Sequence, residues 1–122
     1  MTTRTTTSTT LTLPMTTVFT VQRGMARSVA RALDFDLVAV GPTDEDALLK
    51  LRLAVKAHVE FGIKNGLCKE DIQVPAPQEF WDILTPESSI RIGEPIQVDH
   101  RQIIPMVRLA IDETEGSFST TR

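Results

Sequence analysis

Asp34 and Asp36 stand two apart at the opening of an apolar run, D-F-D-L-V-A-V. On a strand, residues two apart share a face. Two carboxylates on one face can hold a divalent cation for phosphodiester hydrolysis. That chemistry needs further acids, and the sequence sets no third or fourth carboxylate convincingly beside the pair. Aspartate is also a favoured turn residue, because its side chain bonds nearby backbone groups. Turn chemistry is therefore the reading taken here. His58 and His100 lie far apart, and no cysteine–histidine spacing suggests zinc. Cys68 follows a helix stop with Lys69 beside it. A neighbouring cation can lower a thiol pKa, but no base accompanies this one, so it reads as a structural thiol.

Two further clusters concern binding. Phe80 and Trp81 are flanked by Glu79 and Asp82 in P-A-P-Q-E-F-W-D. Aromatics of this kind anchor partners, and Glu79, Phe80, Trp81 and Asp82 form the candidate partner-binding set. The competing role for Phe80 and Trp81 is core, in a chain with one tryptophan and no tyrosine. Arg23, Arg27 and Arg31 would share a face on a continuous strand, where an anion or the chain's own acidic segment could meet them. No aromatics interleave to stack bases. The chain is read as a non-enzyme with no catalytic residue, metal or cofactor.

The elements that must position these residues are legible in part. Thr16–Gln22 is a β-branched run closed by Arg23-Gly24. Residues 25–33, M-A-R-S-V-A-R-A-L, fit a helix by propensity; as a strand they would set small side chains, Ala26, Ser28, Ala30 and Ala32, on one face. Phe35–Val40 is a strand closed by Gly41-Pro42. Thr43 then caps a helix with Asp44, Glu45 and Asp46 in its first turn, where negative charge suits the dipole. Leu48, Leu51, Val55, Val59 and Gly62 recur at spacings of three and four and face a core; Lys50, Arg52, Lys56 and Glu60 face water. Lys64-Asn65-Gly66 stops the helix. Pro77–Leu84 is a short helix bracketed by prolines. Ile90 and Ile92, then Ile96 and Val98, read as a strand broken at Gly93 and Pro95, with Pro95 confining it to an edge or bulge. Met106–Ile111 is a last strand.

Composition sets the class. The 122 residues are 41% hydrophobic and 24% charged, values ordinary for one globular domain. Residues 1–12, rich in threonine with no apolar alternation, are expected to be a disordered tail; 13–113 form the domain, and 114–122 fray. The net charge of −3 gives nucleic acid no general handle. Charge is uneven, however: residues 70–99 carry Arg91 against seven acids, a balance of −6. A lone cysteine implies a reducing compartment, and a cytoplasmic location is expected. No apolar run approaches the ~20 residues a membrane helix needs.

Two motifs carry a resemblance. A-R-A-L-D-F-D-L-V-A-V-G-P-T-D-E-D-A-L-L-K-L at Ala30–Leu51 resembles the strand, crossover, strand and G-x-T-x-x-E/D-A-L helix opening of the HicB-like antitoxin superfamily. P-A-P-Q-E-F-W at Pro75–Trp81 is similar to the P-A-P-x-x-Y/F-W of uncharacterised bacterial relatives of that group. The resemblance spans about half the chain, from Val18 to about Trp81. It implies an α+β fold, a partly degraded ribonuclease-H-like core. A three-stranded antiparallel sheet would be packed by one main helix, with a short helix and one or two C-terminal strands added. On that reading Ala26–Leu33 is the middle strand, its small face under the helix.

Family members typically neutralise a small toxin that degrades messenger RNA, and many carry a C-terminal helical domain that binds DNA. Residues 100–122 are too short for such a domain, so specific DNA binding is not expected. The implied function is a protein-binding module, a HicB-like antitoxin or an orphan relative, with a small basic toxin as partner. The alternatives are a homo-oligomeric structural domain without a toxin, and a metal-dependent ribonuclease-H-like nuclease. A homo-oligomer is expected in either binding case.

Overall fold

The β-branched run after the threonine tract forms β1, Met15–Arg23, in a computed structural model that describes residues 11–84 and 90–109. β2 (Ser28–Ala32) and β3 (Leu37–Gly41) follow as antiparallel neighbours. Helix α1 is Asp44–Lys64; two short helices, α2 (Lys69–Ile72) and α3 (Gln78–Asp82), lead to β4 (Ile90–Ile92), β5 (Ile96–Val98) and β6 (Arg101–Leu109). The fold is α+β. One mixed sheet runs β3-β2-β1-β6-β4, with β5 also paired to β6 and with β6 parallel to β1. The antiparallel trio expected from sequence is present, and the C-terminal strands extend it into six strands.

Within residues 25–33 the segment Ser28–Ala32 forms a strand, because the sheet needs its small side chains; Ala26, expected on the same face, precedes the strand and is exposed. Ser28, Ala30 and Ala32 are buried on the face that α1 covers, alongside Phe19 and Val21 of β1. Alanines let the helix approach closely, and the whole expected stripe, Leu48, Leu51, Val55, Val59 and Gly62, is buried against them. Thr43 caps the helix as expected: its Oγ1 accepts from Asp46 N at 3.2 Å and donates to the Asp46 carboxylate at 3.0 Å. The polar side of α1 is less free than the pattern implied. Arg52 reaches Glu94 and the Pro95 carbonyl, and Lys56 reaches the Gln97 carbonyl, so both clamp the β4–β5 region.

β6 begins at Arg101, five residues before the expected Met106, and places Pro105 inside the sheet. A proline there removes a ladder donor. On a strand the N–H and C=O of one residue point to the same side, and the Pro105 carbonyl accepts from Gly93 N at 2.8 Å. The missing donor therefore faces the gap between β4 and β5, where the ladder is already interrupted. Across that gap the pairing register on β6 slips by one residue. A one-residue slip turns side chains to the opposite face. Ile96 and Val98 are buried on the α1 face, whereas Ile90 and Ile92 lie on the other face and are exposed.

The packing starts earlier than the expected boundary at residue 13. Leu11 is buried in the core together with Leu13. Residues 1–10 and 114–122, read as tails, lie outside the described residues, as do positions 110 and 111 of the expected last strand. Among the described residues, no helix is long and apolar enough to cross a membrane.

Candidate functional site

The two aspartates that sequence spacing offers as a metal pair do different work. Asp34 Oδ2 accepts from Thr17 Oγ1 at 2.7 Å and from Val18 N at 2.9 Å, tying the β2–β3 connection to β1. Asp36 is exposed at φ +53°, a left-handed position that aspartate tolerates. Among the described residues no group of three or more His, Cys, Asp or Glu is placed to hold a metal ion. His58 Nε2 donates to the Ile72 carbonyl at 2.7 Å, and its ring meets the edge of Phe35, so it fastens α1 to α2. His100 is exposed beside Asp99. The Cys68 thiol donates to Asp71 Oδ2 at 3.3 Å. The backbone N–H of Asp71, the largest influence on Cys68, favours the thiolate. The Asp71 and Glu70 carboxylates and desolvation outweigh it, so the thiol pKa is raised, opposite to the lowering that Lys69 suggested.

Arg23, Arg27 and Arg31 do not share a face. Arg27 precedes β2 and is exposed. Arg23 turns to the α1 side and ion-pairs with Asp44. Asp44 also accepts from the Ser28 hydroxyl. The Arg23 hydrogen bonds hold the Asp44 carboxyl below its ordinary value against the cost of burial, with Ser28 and the charges of Arg23 and Arg91 adding to them. Asp44 was legible only as a first-turn acid. Its burial depends on the small residue at 28, which the sequence supplies but does not pair with it.

Arg31 points to the face opposite α1, where its guanidinium lies 4.0 Å above the Phe80 ring. This docks α3 on the side of the sheet opposite α1. Trp81 Nε1 donates to the Ala76 carbonyl at 3.1 Å, and Ala76 N donates to the Leu33 carbonyl at 2.8 Å. Phe80 and Trp81 are half-buried and engaged within the domain, while Glu79 and Asp82 are exposed. The candidate set thus divides into two residues that fix α3 and two that present charge.

The pairing registers place Val38, Arg31, Thr20, Arg108 and Ile90 in one row across the face opposite α1. A second row contains Val18, Met106 and Ile92. Ile92 is 69% exposed and Ile90 54%, with half-buried Met106 beside them. Sequence reading grouped these isoleucines with Ile96 and Val98. The available signal was the Gly93-Glu94-Pro95 break, which permits a register slip. On the opposite side, a groove of about 430 Å3 separates α1 from β4, floored by Phe19, Pro105 and Val107 and rimmed by Glu45, Arg52, Arg91 and Glu94.

Compared with protein-family models, with curated proteins and with solved structures, the chain matches none.

Proposed function

We propose that this chain is a protein-binding module, a HicB-like antitoxin or an orphan relative of one, that receives a small basic protein on the sheet face opposite α1. The observation that carries the reading is the exposure of Ile90 and Ile92 on that face, which also bears α3 with its outward Glu79 and Asp82. Apolar side chains in the centre of a patch supply affinity, and charges at its rim speed encounter and set orientation. The strand order, with three antiparallel strands, a helix and a later strand beside the first, accords with the resemblance carried by Ala30–Leu51 and Pro75–Trp81. Phe80 and Trp81 act here by holding α3 in place rather than as the anchors themselves. The nuclease alternative draws no support from Asp34, whose carboxylate is bonded to Thr17 and Val18.

The test is to look for a short basic reading frame beside this chain's gene and to measure binding of the protein it encodes. A complex is expected whose association slows with added salt. Glu79→Lys with Asp82→Lys should slow association further, and Ile92→Lys should speed dissociation. The proposal fails if no such complex forms, or if a complex forms that is indifferent to all three changes.

A further inference from the structure

We infer that two copies of this chain pair through β3, antiparallel, so that Ala39 faces Ala39 of the partner subunit across a two-fold axis. Among the described residues β3 ends the sheet, and no described strand lies along its outer side. The groups on that side follow from the register. Leu33 N donates to Val18 O, which makes Leu33 and Val18 a hydrogen-bonded pair continuing the β1–β2 ladder. Antiparallel pairs alternate between bonded and non-bonded. Arg31 therefore turns its backbone groups to Thr20, and Val38, opposite Arg31 on the other side, turns its own outward. Val40 does the same, and its carbonyl accepts from Lys50 Nζ at 3.2 Å, which is possible only from the open side.

An edge of this kind is its own template. Under a two-fold axis at Ala39, Val38 N–H meets the Val40 carbonyl of the partner subunit and Val40 N–H meets the partner subunit's Val38 carbonyl. Both exchanges are repeated by symmetry. A carbonyl oxygen has a second lone pair, so Lys50 can stay bonded. The two faces of the joint also suit a second copy. On the face opposite α1, Val38, 52% exposed, would lie against Val40 of the partner subunit. On the other face, α1 presents Lys50, Ala54, Ala57 and Phe61 at spacings of four, three and four. Lys50 marks this flank as the β3 side, and the alanines leave room for a second helix while Phe61 is 62% exposed.

Edges are ordinarily blunted by charge, proline, bulges or brevity. β4, the opposite edge, has three residues with Arg91 at its centre and a register slip after it. β3, Leu-Val-Ala-Val-Gly, has five residues with no charge, proline or bulge of its own, and Lys50 of α1 occupies only one lone pair of the Val40 carbonyl. Pairing β3 with itself closes the assembly at two copies, whereas pairing it with β4 would run on into a filament.

The experiment is sedimentation equilibrium of the full chain, with a disulfide test of the register. The wild type should sediment as a dimer. Val38→Lys and Val40→Lys should sediment as monomers with unchanged circular dichroism, and Ile92→Lys should remain a dimer. Ala39→Cys with Cys68→Ser should oxidise to a covalent dimer, because a non-bonded antiparallel pair holds its Cα atoms about 4.5 Å apart, within disulfide reach. Val38→Cys in the same background should not, since its partner is residue 40. The crosslink remains decisive if the lysine variants do not fold. A monomeric wild type, an open-ended assembly, a dimer lost on Ile92→Lys, or failure of the residue-39 crosslink would each overturn the inference.

Discussion

Arg23 Nε, at the end of β1, donates to both oxygens of the Asp44 carboxylate in the first turn of α1, at 3.3 and 3.1 Å. Ser28 of β2 donates to the same carboxylate, so one acid joins the sheet to the start of the helix. The two partners differ in surroundings: the Arg23 side chain is 70% exposed and that of Asp44 only 9%. Losing the acid leaves a cation that water can resolvate. Losing the cation leaves a carboxylate with little access to water.

Asp44→Asn should therefore destabilise the domain by about 1.5–3 kcal/mol at neutral pH, the range for hydrogen bonds to a charged group. The pH dependence has a definite sign. The native carboxyl is held below 3.8 while the unfolded chain keeps its ordinary value, so the unfolded state binds the proton more readily. The stabilisation is complete above the ordinary value and is lost as pH falls through the native one. Urea melts of wild type and Asp44→Asn should converge below about pH 4. A constant difference from neutral pH into acid would remove this account.

Gly62 lies where α1 meets Ile72. A β-carbon at this position would come within 2.5 Å of Ile72 Cγ1 and 2.8 Å of its Cδ1. Ile72 is fully buried, and the chain around it is held by the His58 bond to its carbonyl. Alanine would gain about 1 kcal/mol of helix propensity over glycine, against about 1–3 kcal/mol for overpacking. The outcome with alanine is a modest net loss. Gly62→Val should lower the thermal midpoint clearly, and Gly62→Val with Ile72→Ala should recover part of it. A neutral Gly62→Val would show that α2 is free to shift.

Much of this was readable beforehand, and the failures have physical causes. The α1 stripe was legible because one long helix makes its own period, and each position from Leu48 to Gly62 is buried as spaced. Residues 25–33 were ambiguous by propensity, because alanine favours helix locally while the sheet needs small side chains under α1; the resemblance set them as the middle strand, where β2 lies. Ile90 and Ile92 were misgrouped because the alternation continues by number across Gly93–Pro95 while the pairing register does not. Phe80 and Trp81 were found as a unit, but their engagement with Arg31 and Ala76 depends on contacts at long and short range that spacing does not encode. The open edge of β3 was invisible for the same reason: strand order decides which strand is last.

Leu11 follows the threonine tract directly and is 4% exposed within the core cluster. Leu11→Ala should cost about 2–5 kcal/mol, as for other buried leucines. A chain shortened to begin at Leu13 should lose a comparable amount, while one that begins at Leu11 keeps the contact. Thermal midpoints of the two truncations decide the matter. Equal midpoints would mean that Leu11 contributes nothing to the packing in solution.

Cys68 is half-buried and reachable, but it is set among acids. Its thiol donates to Asp71 Oδ2, and the Asp71 and Glu70 carboxylates, with desolvation, overcome the pull of the Asp71 backbone N–H toward the thiolate. Only the thiolate reacts readily with alkylating reagents. At pH 8, iodoacetamide should therefore modify Cys68 more slowly than it modifies an unstructured cysteine peptide. Asp71→Asn should raise the rate by removing the charge that repels the thiolate, while leaving the backbone N–H that favours it. Because Cys68 precedes α2 and is bonded to Asp71 rather than placed on β4 or α3, alkylation should not alter binding at the proposed partner surface. A rate faster than the peptide's, or one unmoved by Asp71→Asn, would show that the acidic surroundings do not control this thiol.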